Sequence, residues 1–434
     1  MKILLVGGGI TSALTGMCLR KLLPDCNISL WDKARGAGGR MATTRCSLNP
    51  SCTADLGAQY ITTTEEYMKA NGDVYNHLIS EGILEPLKCH VIGMRHQDNT
   101  KNFVVPNGTS FLVKNILQQA KINETKFSHH VSSIDLEDGR WIVETKTGEK
   151  DYFDVVVLTM PVPQLFLLEG SVKRSIQSLA EPLNTVTYSA RYVLVLFYLE
   201  NINENWGAQY IDNNPIFRYV SIDNIRRNQP ENLCAVVLHS TVSFGAKHIE
   251  DSIPDMEKVL VSQAKVLFPN WPEPKAVKCH KWRYSQVTNT YPDAPGCVLV
   301  SSSAPLVIGG DAFAGSKFDN CIQSSKSICQ KVVEALEVGK LFQDITDRSV
   351  KPTLDMRHSP STKQRLAESR VVNRCLSIWQ AANIHACVFL FIAHIKVNEY
   401  LCYSQYEQLL GKQHMCEDVY LLIGELVRQL DHRM

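Results

Sequence analysis

Gly7, Gly8 and Gly9, followed by Ile10-Thr11-Ser12, stand between a short apolar run and a segment with helical spacing. Residues of that type in that order can hold a pyrophosphate. Gly7 and Gly9 permit a tight turn and let backbone approach phosphate oxygens, while the helix that follows aims its free N–H groups and positive dipole end at them. The pattern is Gly-x-Gly-x-x-Gly with Ser12 at the third glycine position, where helix–strand packing needs only a small residue. Thr11 adds a hydroxyl donor. Asp32 closes the next apolar run, where a carboxylate accepts hydrogen bonds from adenosine ribose hydroxyls and disfavours a ribose 2′-phosphate. A plain turn aspartate is the alternative.

Two further segments bear on which dinucleotide is bound. Gly38-Gly39-Arg40 follows the second apolar run closely. A simple nicotinamide dehydrogenase has no use for a glycine pair and an arginine there, whereas FAD runs further and needs more backbone close to its phosphates and ribityl chain. Arg40 is a candidate phosphate clamp, because a guanidinium offers paired donors; otherwise it is a solvated surface arginine. Far along the chain, Gly309-Gly310-Asp311 ends another short apolar run. There Gly310 would let backbone approach and Asp311 would accept from a ribityl hydroxyl. The following helix would point its N-terminus at the flavin pyrimidine edge, with Phe318, Asn320 and Ile322 placed for contact.

These residues need elements to position them. Lys2–Val6 reads as a buried parallel strand, Ile10–Leu22 as a helix stopped before Pro24, and Ile28–Trp31 as a second strand, together a β-α-β unit. Tyr67–Ser80 and Ser110–Ala120 read as helices, and Val91–Val105 as strand-forming. Val131–Ile134 and Trp141–Thr145 read as a hairpin about Asp138-Gly139, and Val155–Thr159 as a buried strand. Arg191–Leu199, Arg218–Ile222 and Cys234–Ser240 suit an antiparallel sheet, with a helix at Ser262–Leu267. Leu306–Ile308 is a strand leading into Gly309, and Cys321–Leu336 a helix. The expected class is α/β: a Rossmann-like cofactor domain discontinuous over residues 1–75, 125–165 and 295–340, with an inserted, mostly antiparallel substrate domain over 76–124 and 166–294. Residues 341–434 read as a linker, polar over Ser349–Lys363, and a helical appendage with patterns at Val371–Ala382 and Val419–Leu430.

At 434 residues the chain is too long for one core in most folds. A net charge of +1 supplies no basic field for nucleic acid or an anionic membrane. Of 14 cysteines none forms a Cys-x-x-Cys pair, which disfavours zinc and dithiol redox chemistry and suits reduced, buried thiols. No stretch reaches the roughly 20 apolar residues of a membrane-spanning helix. The apolar N-terminus is broken at once by Gly7 and reads as structure rather than as a signal peptide.

Long blocks of this sequence closely resemble renalase. They are Trp31-Asp32-Lys33 through Gly39-Arg40-Met41, Cys52 through Thr62, Leu158 through Pro163, Trp206-Gly207-Ala208-Gln209-Tyr210-Ile211, Val220 through Asn224, and Lys281 through Asn289. The similarity runs from residue 1 to about 338, near where renalases end, and nothing carries over to the remaining tail. The resemblance implies a p-hydroxybenzoate-hydroxylase-like fold and noncovalent FAD. It implies oxidation of the 2- and 6-dihydro isomers of NAD(P)H to NAD(P)+, with electrons passed to molecular oxygen to give hydrogen peroxide. By the same resemblance Thr11, Arg40, Gln59 and Tyr60 contact FAD, and Val131 places backbone near the adenine. Ser12 departs from the family's glycine. The family is also described as secreted, whereas the thiols and the lack of a clear signal peptide suit cytoplasm; a monomer is expected.

Hydride transfer needs a donor carbon held dry and close to flavin N5. Trp282 and Tyr210 are candidate walls for the substrate ring, and Tyr60, Asn224, His239, Tyr284 and Gln286 candidate polar positioners. Each is equally a packed core residue, and His239, within an apolar strand, reads as structural. Two other functions stay open. An amine oxidase would hold a neutral amine in an aromatic cage, and a secreted signalling protein would carry a vestigial flavin site. A nicotinamide-dependent dehydrogenase is argued against by Gly38-Gly39-Arg40 and Gly309-Gly310-Asp311.

Overall fold

In the computed structural model, residues 1–95 and 98–349 are described. Val155–Leu158 is buried at every position, and Lys2–Val6 and Asn27–Asp32 nearly so, because parallel strands covered on both faces have no solvent side. They lie centrally in a six-stranded sheet whose order is Cys297–Ser301, Leu306–Gly309, Val155–Leu158, Lys2–Val6, Asn27–Asp32, Glu124–Phe127. All neighbours are parallel except the first pair. The expected central strands are present. Both edge strands escaped the sequence reading, since Glu124-Thr-Lys-Phe is polar and short, as edges are.

Helix Ile10–Leu22 covers one face of this sheet, with Phe318–Ser349 beside it. The hairpin about Asp138-Gly139 forms as expected, with both turn residues at positive φ.

The second sheet has the order Ala276–Trp282, Arg191–Phe197, Ala235–Ser240, Phe217–Ile222, Ala208–Tyr210, Val91–Ile92, antiparallel except at its last pair. Strand alternation gives it two apolar faces. Tyr192, Leu194, Leu196 and Leu238 pack under helix Ile253–Leu267 through Met256, Leu260 and Ala264. Val193, Val195, Phe197, Ala235 and Val237 pack the other way, on Cys46, Cys52, Ala54 and Leu56 of the cofactor loops.

Three expectations change. Tyr67–Ser80 is two helices, Glu65–Ala70 and Gly72–Ser80, because Asn71 leaves helical geometry and donates backbone and side-chain N–H groups to the Tyr67 carbonyl. Val91–Val105 splits: Val91–Ile92 edges the large sheet, while Thr100–Val104 joins Ile61–Thr64 and Glu85–Pro86. The last helix spans Phe318–Ser349, passing Leu341 where a linker was expected; Gly339 within it costs only about 1 kcal/mol and does not stop it. The patterns at Val371–Ala382 and Val419–Leu430, and Ser349–Lys363 beyond its first residue, lie outside the described residues. Among the described residues no helix is long and apolar enough to cross a membrane, and the ten cysteines are free thiols.

Candidate active site

The two glycine loops touch. Gly7 sits at φ +119°, and a Cβ on it would lie 2.4 Å from Thr159 Oγ1. Gly38 N–H donates to the Gly8 carbonyl at 2.8 Å, and a Cβ on Gly39, at φ +53°, would lie 3.2 Å from Gly9 Cα. Gly9 differs from the others. Its φ of −92° suits any residue, and a Cβ there would meet no atom within 4 Å. It precedes a helix with no side-chain N-cap and no acidic residue in its first turn. Uncapped amides facing open space fit a pyrophosphate.

Ser12, in place of the third glycine, is fully buried and hydrogen-bonded to Thr159 Oγ1 at 2.8 Å, so a polar contact ties helix to strand where close apposition was expected. Asp32 holds this loop from below. Its Oδ2 accepts from Gly8 N–H and its Oδ1 from Ala34 N–H. Beside it, His129 N–H donates to the Asp32 carbonyl at 2.9 Å, and Val131 begins the next strand.

Arg40 and Asp311, 271 residues apart, form a two-point ion pair, with Arg40 Nη2 donating to Asp311 Oδ1 at 2.7 Å. Sequence reasoning assigned them separate cofactor contacts; the structure joins them, because opposite charges drawn into one groove of low dielectric pair first. Burial alone would lower the Arg40 pKa, but the Asp311 carboxylate more than offsets this and raises it. Ser316 Oγ donates to Asp311 Oδ2 at 2.8 Å and accepts from Val287 N–H at 2.7 Å. Gly310, at φ +113°, donates to Ser324 Oγ. Tyr188 stacks edge-on with Tyr284 at 5.3 Å beside this pair, and burial, then Asp311, push its hydroxyl up to about 12.

Under the next loop lies a core of four charges. Arg226 donates to Asp55 Oδ2 at 2.9 Å and to Asp223. Arg227 donates to Asp55 at 3.1 Å, to Thr53 Oγ1 at 2.8 Å and to Asp223. Asp55 also accepts from Thr43 Oγ1 at 2.6 Å and Thr109 N–H at 2.8 Å. Burial would raise the Asp55 carboxyl; Arg227 and Arg226 bring it below the usual carboxylate range. Arg226 also donates to the Gln59 carbonyl, so this network holds the Gly57–Tyr60 loop against the sheet. Gly57 is needed there, since a Cβ would lie 1.9 Å from the Arg40 carbonyl oxygen.

Above that loop the sheet's inner face presents a row of rings. Tyr210, Tyr219, His239, Val193 and His280 are successive cross-strand partners, with Trp282 and Arg191 paired two residues further on. Tyr210 and Tyr219 are 5.1 Å apart, Tyr219 and His239 5.9 Å, and His280 and Trp282 4.3 Å. Three contacts dock this row on the cofactor loop: Tyr60 to Tyr210 through their hydroxyls, Trp282 Nε1 donating to the Leu56 carbonyl at 2.9 Å, and Ser221 Oγ donating to Gln59 Oε1 at 2.7 Å. Tyr219 OH, His239 Nε2 and His280 Nε2 are buried with no partner among the described residues. Orphaned polar atoms along one face are hydrogen-bonding capacity that a ligand or water can satisfy.

The site residues read from sequence thus divide. Trp282, Tyr210 and Tyr60 share this row with His239, which the sequence reading had as structural. Tyr284 instead packs edge-on against Tyr188, the tyrosine next to Arg40 and Asp311. Asn224 lies off this row: its amide donates to the Pro230 and Asn232 carbonyls at 3.2 Å each, and its Oδ1 is buried with no partner among the described residues. The Gln59 side chain turns away from the glycine loops to Ser221 and to the Asp55 and Gly57 carbonyls. Thr11 is buried against Cys321, and Ile322 packs with Ile10 and Met41. Asn320 donates to the Ala314 carbonyl, and Phe318 packs on Tyr75. Sequence reasoning missed Tyr219, His280, Ser316 and the four-charge core. Tyr219 was readable, two residues before Ser221 on an alternating strand.

Burial first, then Arg191 and Arg226, lower the His239 pKa to about 3, and burial and Lys278 lower His280 to about 4. Above about pH 6.5 both are neutral folded and unfolded, and neither opposes folding. As pH falls below that, the unfolded chain takes up protons that the fold refuses. Stability is expected to drop toward about pH 4 by up to about 1.4 kcal/mol per pH unit for each histidine. Urea midpoints measured across this range check it, and His239→Phe should flatten the slope.

Comparisons with known proteins agree with this geometry. Residues 5–78 match the NAD(P)-binding Rossmann-like domain family. Residues 83–333 match the flavin containing amine oxidoreductase family. Renalase from Mus musculus is 40% identical over 333 residues, covering 75% of this chain and 97% of that protein. A crystal structure from Exiguobacterium sp. 255-15, assigned as a protoporphyrinogen oxidase, superposes with TM-score 0.59 at 13% identity, covering 77% of this chain and 99% of that one. A Pyrococcus furiosus protein gives TM-score 0.51, also at 13% identity, over 76% and 97% of the two chains, which speaks to fold alone. With the renalase match extending over both the glycine loops and the ring-lined sheet, the chain belongs to the renalase-like flavin amine oxidoreductase family and is an FAD-dependent oxidoreductase.

Proposed function

We propose that this flavoenzyme oxidises the 2- and 6-dihydro isomers of NAD(P)H to NAD(P)+. FAD, when bound, supplies the two-electron acceptor for the hydride and is reoxidised by molecular oxygen, with one proton taken from solvent, to release hydrogen peroxide. The observation that carries the reading is the chemistry of the ring row. Its rings are tyrosine, histidine and tryptophan, and the formal charges beside it are cations, Arg191, Arg218 and Lys278. A dihydropyridine gives up hydride without first losing a proton, so it needs flat walls and hydrogen-bond partners rather than a strong base. Trp282 and Tyr210 wall the ring. The unpaired Tyr219 hydroxyl and His239 Nε2 are suited to a carboxamide, which both donates and accepts. The Tyr60–Tyr210 contact and the Gln59–Ser221 bond hold the sheet face to the flavin loop.

The other reading, a monoamine or catecholamine oxidase, draws on the amine oxidoreductase match. A protonated amine would have to approach Arg191. Mixing the holoenzyme anaerobically with 6-dihydro-NAD and, separately, with a catecholamine distinguishes them. Rapid bleaching of the yellow flavin band by 6-dihydro-NAD alone is expected. Bleaching by the amine instead would overturn the proposal, as would no bleaching by either.

A further inference from the structure

Arg191 and Lys278 are cations on the ring-row face that meet no carboxylate among the described residues; Lys278 donates to Thr44 Oγ1, whereas Arg191 leaves most of its donors unused. By register it is opposite Trp282 and diagonal to His239, a spacing of roughly 7–8 Å along an antiparallel pair. Its side chain makes one hydrogen bond, Nη1 donating to the Ser240 carbonyl at 2.7 Å. A guanidinium carries five N–H donors. Other arginines drawn into this fold use theirs. Arg40 pairs with Asp311, Arg226 and Arg227 pair with Asp55 and Asp223, and Arg20 donates to four carbonyls and Asn123. No carboxylate among the described residues pairs with Arg191. Burial, then the nearby Arg218, lower its pKa, which is the signature of a cation without a counter-charge. Arg218 lies over the Tyr210 ring at 5.6 Å, and its own partner, Asp212, is 74% exposed. Two arginines therefore flank the end of the row that holds His239, Tyr219 and Tyr210.

We infer that Arg191 is the anion anchor of the substrate site, taking the pyrophosphate arm of a dinucleotide whose dihydropyridine ring lies along the Tyr210–Trp282 row. The inference rests on the dihydro-NAD(P) reading and adds how the dinucleotide is told from smaller dihydropyridines and from amines. A planar guanidinium gives a phosphate two parallel donors, and binding would remove the cost of leaving this cation partly buried and unpaired. The same charge repels a protonated amine. Arg191 touches substrate far from the reacting carbon, so it sets affinity rather than the chemical step, and its loss should appear in KM more than in kcat.

The test compares Arg191→Gln and Arg191→Lys holoenzymes with the parent, using 6-dihydro-NAD and the 6-dihydronicotinamide riboside, which lacks phosphate. In the parent, kcat/KM should favour the dinucleotide. In Arg191→Gln that preference should shrink about 10- to 100-fold, mainly through KM, and Arg191→Lys should recover part of it. Flavin absorbance and melting temperature establish that each variant is folded and loaded. An unchanged ratio, or equal losses on both substrates, would overturn the assignment. If the parent flavin is reduced by neither compound, the functional reading fails on its own, and ADP-ribose binding to the oxidised holoenzyme by calorimetry still decides the anchor. Binding by the parent that weakens at least tenfold in Arg191→Gln supports it, and equal binding, or none to either, refutes it.

Discussion

Gly9→Val is expected to yield a folded but colourless protein, with FAD affinity reduced more than 100-fold. A Cβ at this position would meet no atom of a more distant residue within 4 Å, and a φ of −92° accommodates it. The unliganded fold should therefore lose no more than about 1 kcal/mol, the scale of an N-cap change. What the valine would fill is the space in front of the uncapped amides of Ile10–Leu22, where the pyrophosphate is expected. Gly7→Ala is the contrasting variant. It forces Cβ against Thr159 Oγ1 at a backbone conformation only glycine adopts readily, so it should damage the apoprotein as well. Flavin content on purification and the melting temperature of FAD-stripped protein separate the two. Full flavin loading of Gly9→Val would place the phosphates elsewhere.

Arg226→Met should destabilise the fold by about 3–5 kcal/mol, since it leaves buried carboxylates with one arginine in place of two. It should weaken FAD binding too, because Arg226 also holds the Gln59 carbonyl. The pH dependence separates this from simple loss of packing. In the parent, Asp55 is ionised with its pKa depressed, so its contribution is present above the unfolded carboxylate value of about 4 and is lost as pH falls through the lower folded value. Without Arg226 the burial effect gains weight and the Asp55 carboxyl rises, and a protonated acid no longer needs a partner. The gap between variant and parent should narrow as pH is lowered from about 7 to 5. Urea denaturation at several pH values measures it, and a gap constant with pH would mean that the charge network contributes little.

Much of the cofactor site was legible because its requirements are local. Gly7 and Gly9 between a strand and a helix, and Asp32 at the end of the next strand, carry their meaning in a span of about thirty residues. The Gly38-Gly39-Arg40 and Gly309-Gly310-Asp311 segments were readable as groups, but not as partners of each other. That Arg40 meets Asp311 depends on the parallel pairing of Leu306–Gly309 with Val155–Leu158 and of that strand with Lys2–Val6. The ring-lined face was less legible. His239 and Tyr219 lie in runs whose composition suits a core strand, and only the register across four strands makes them a row. Asn224 lies off this row, its amide N–H groups answering a loop's carbonyls while its Oδ1 stays buried without a partner among the described residues.

The sequence by itself determined the cofactor class and the central strand–helix–strand unit, because phosphate binding by backbone needs particular small residues at short, fixed spacing. The tertiary structure alone decided which charges pair, which rings share a face and that Arg191 meets no carboxylate among the described residues. Those depend on contacts between segments tens to hundreds of residues apart, and pairing in a low-dielectric interior is set by the neighbour that arrives, not by the residue's own type.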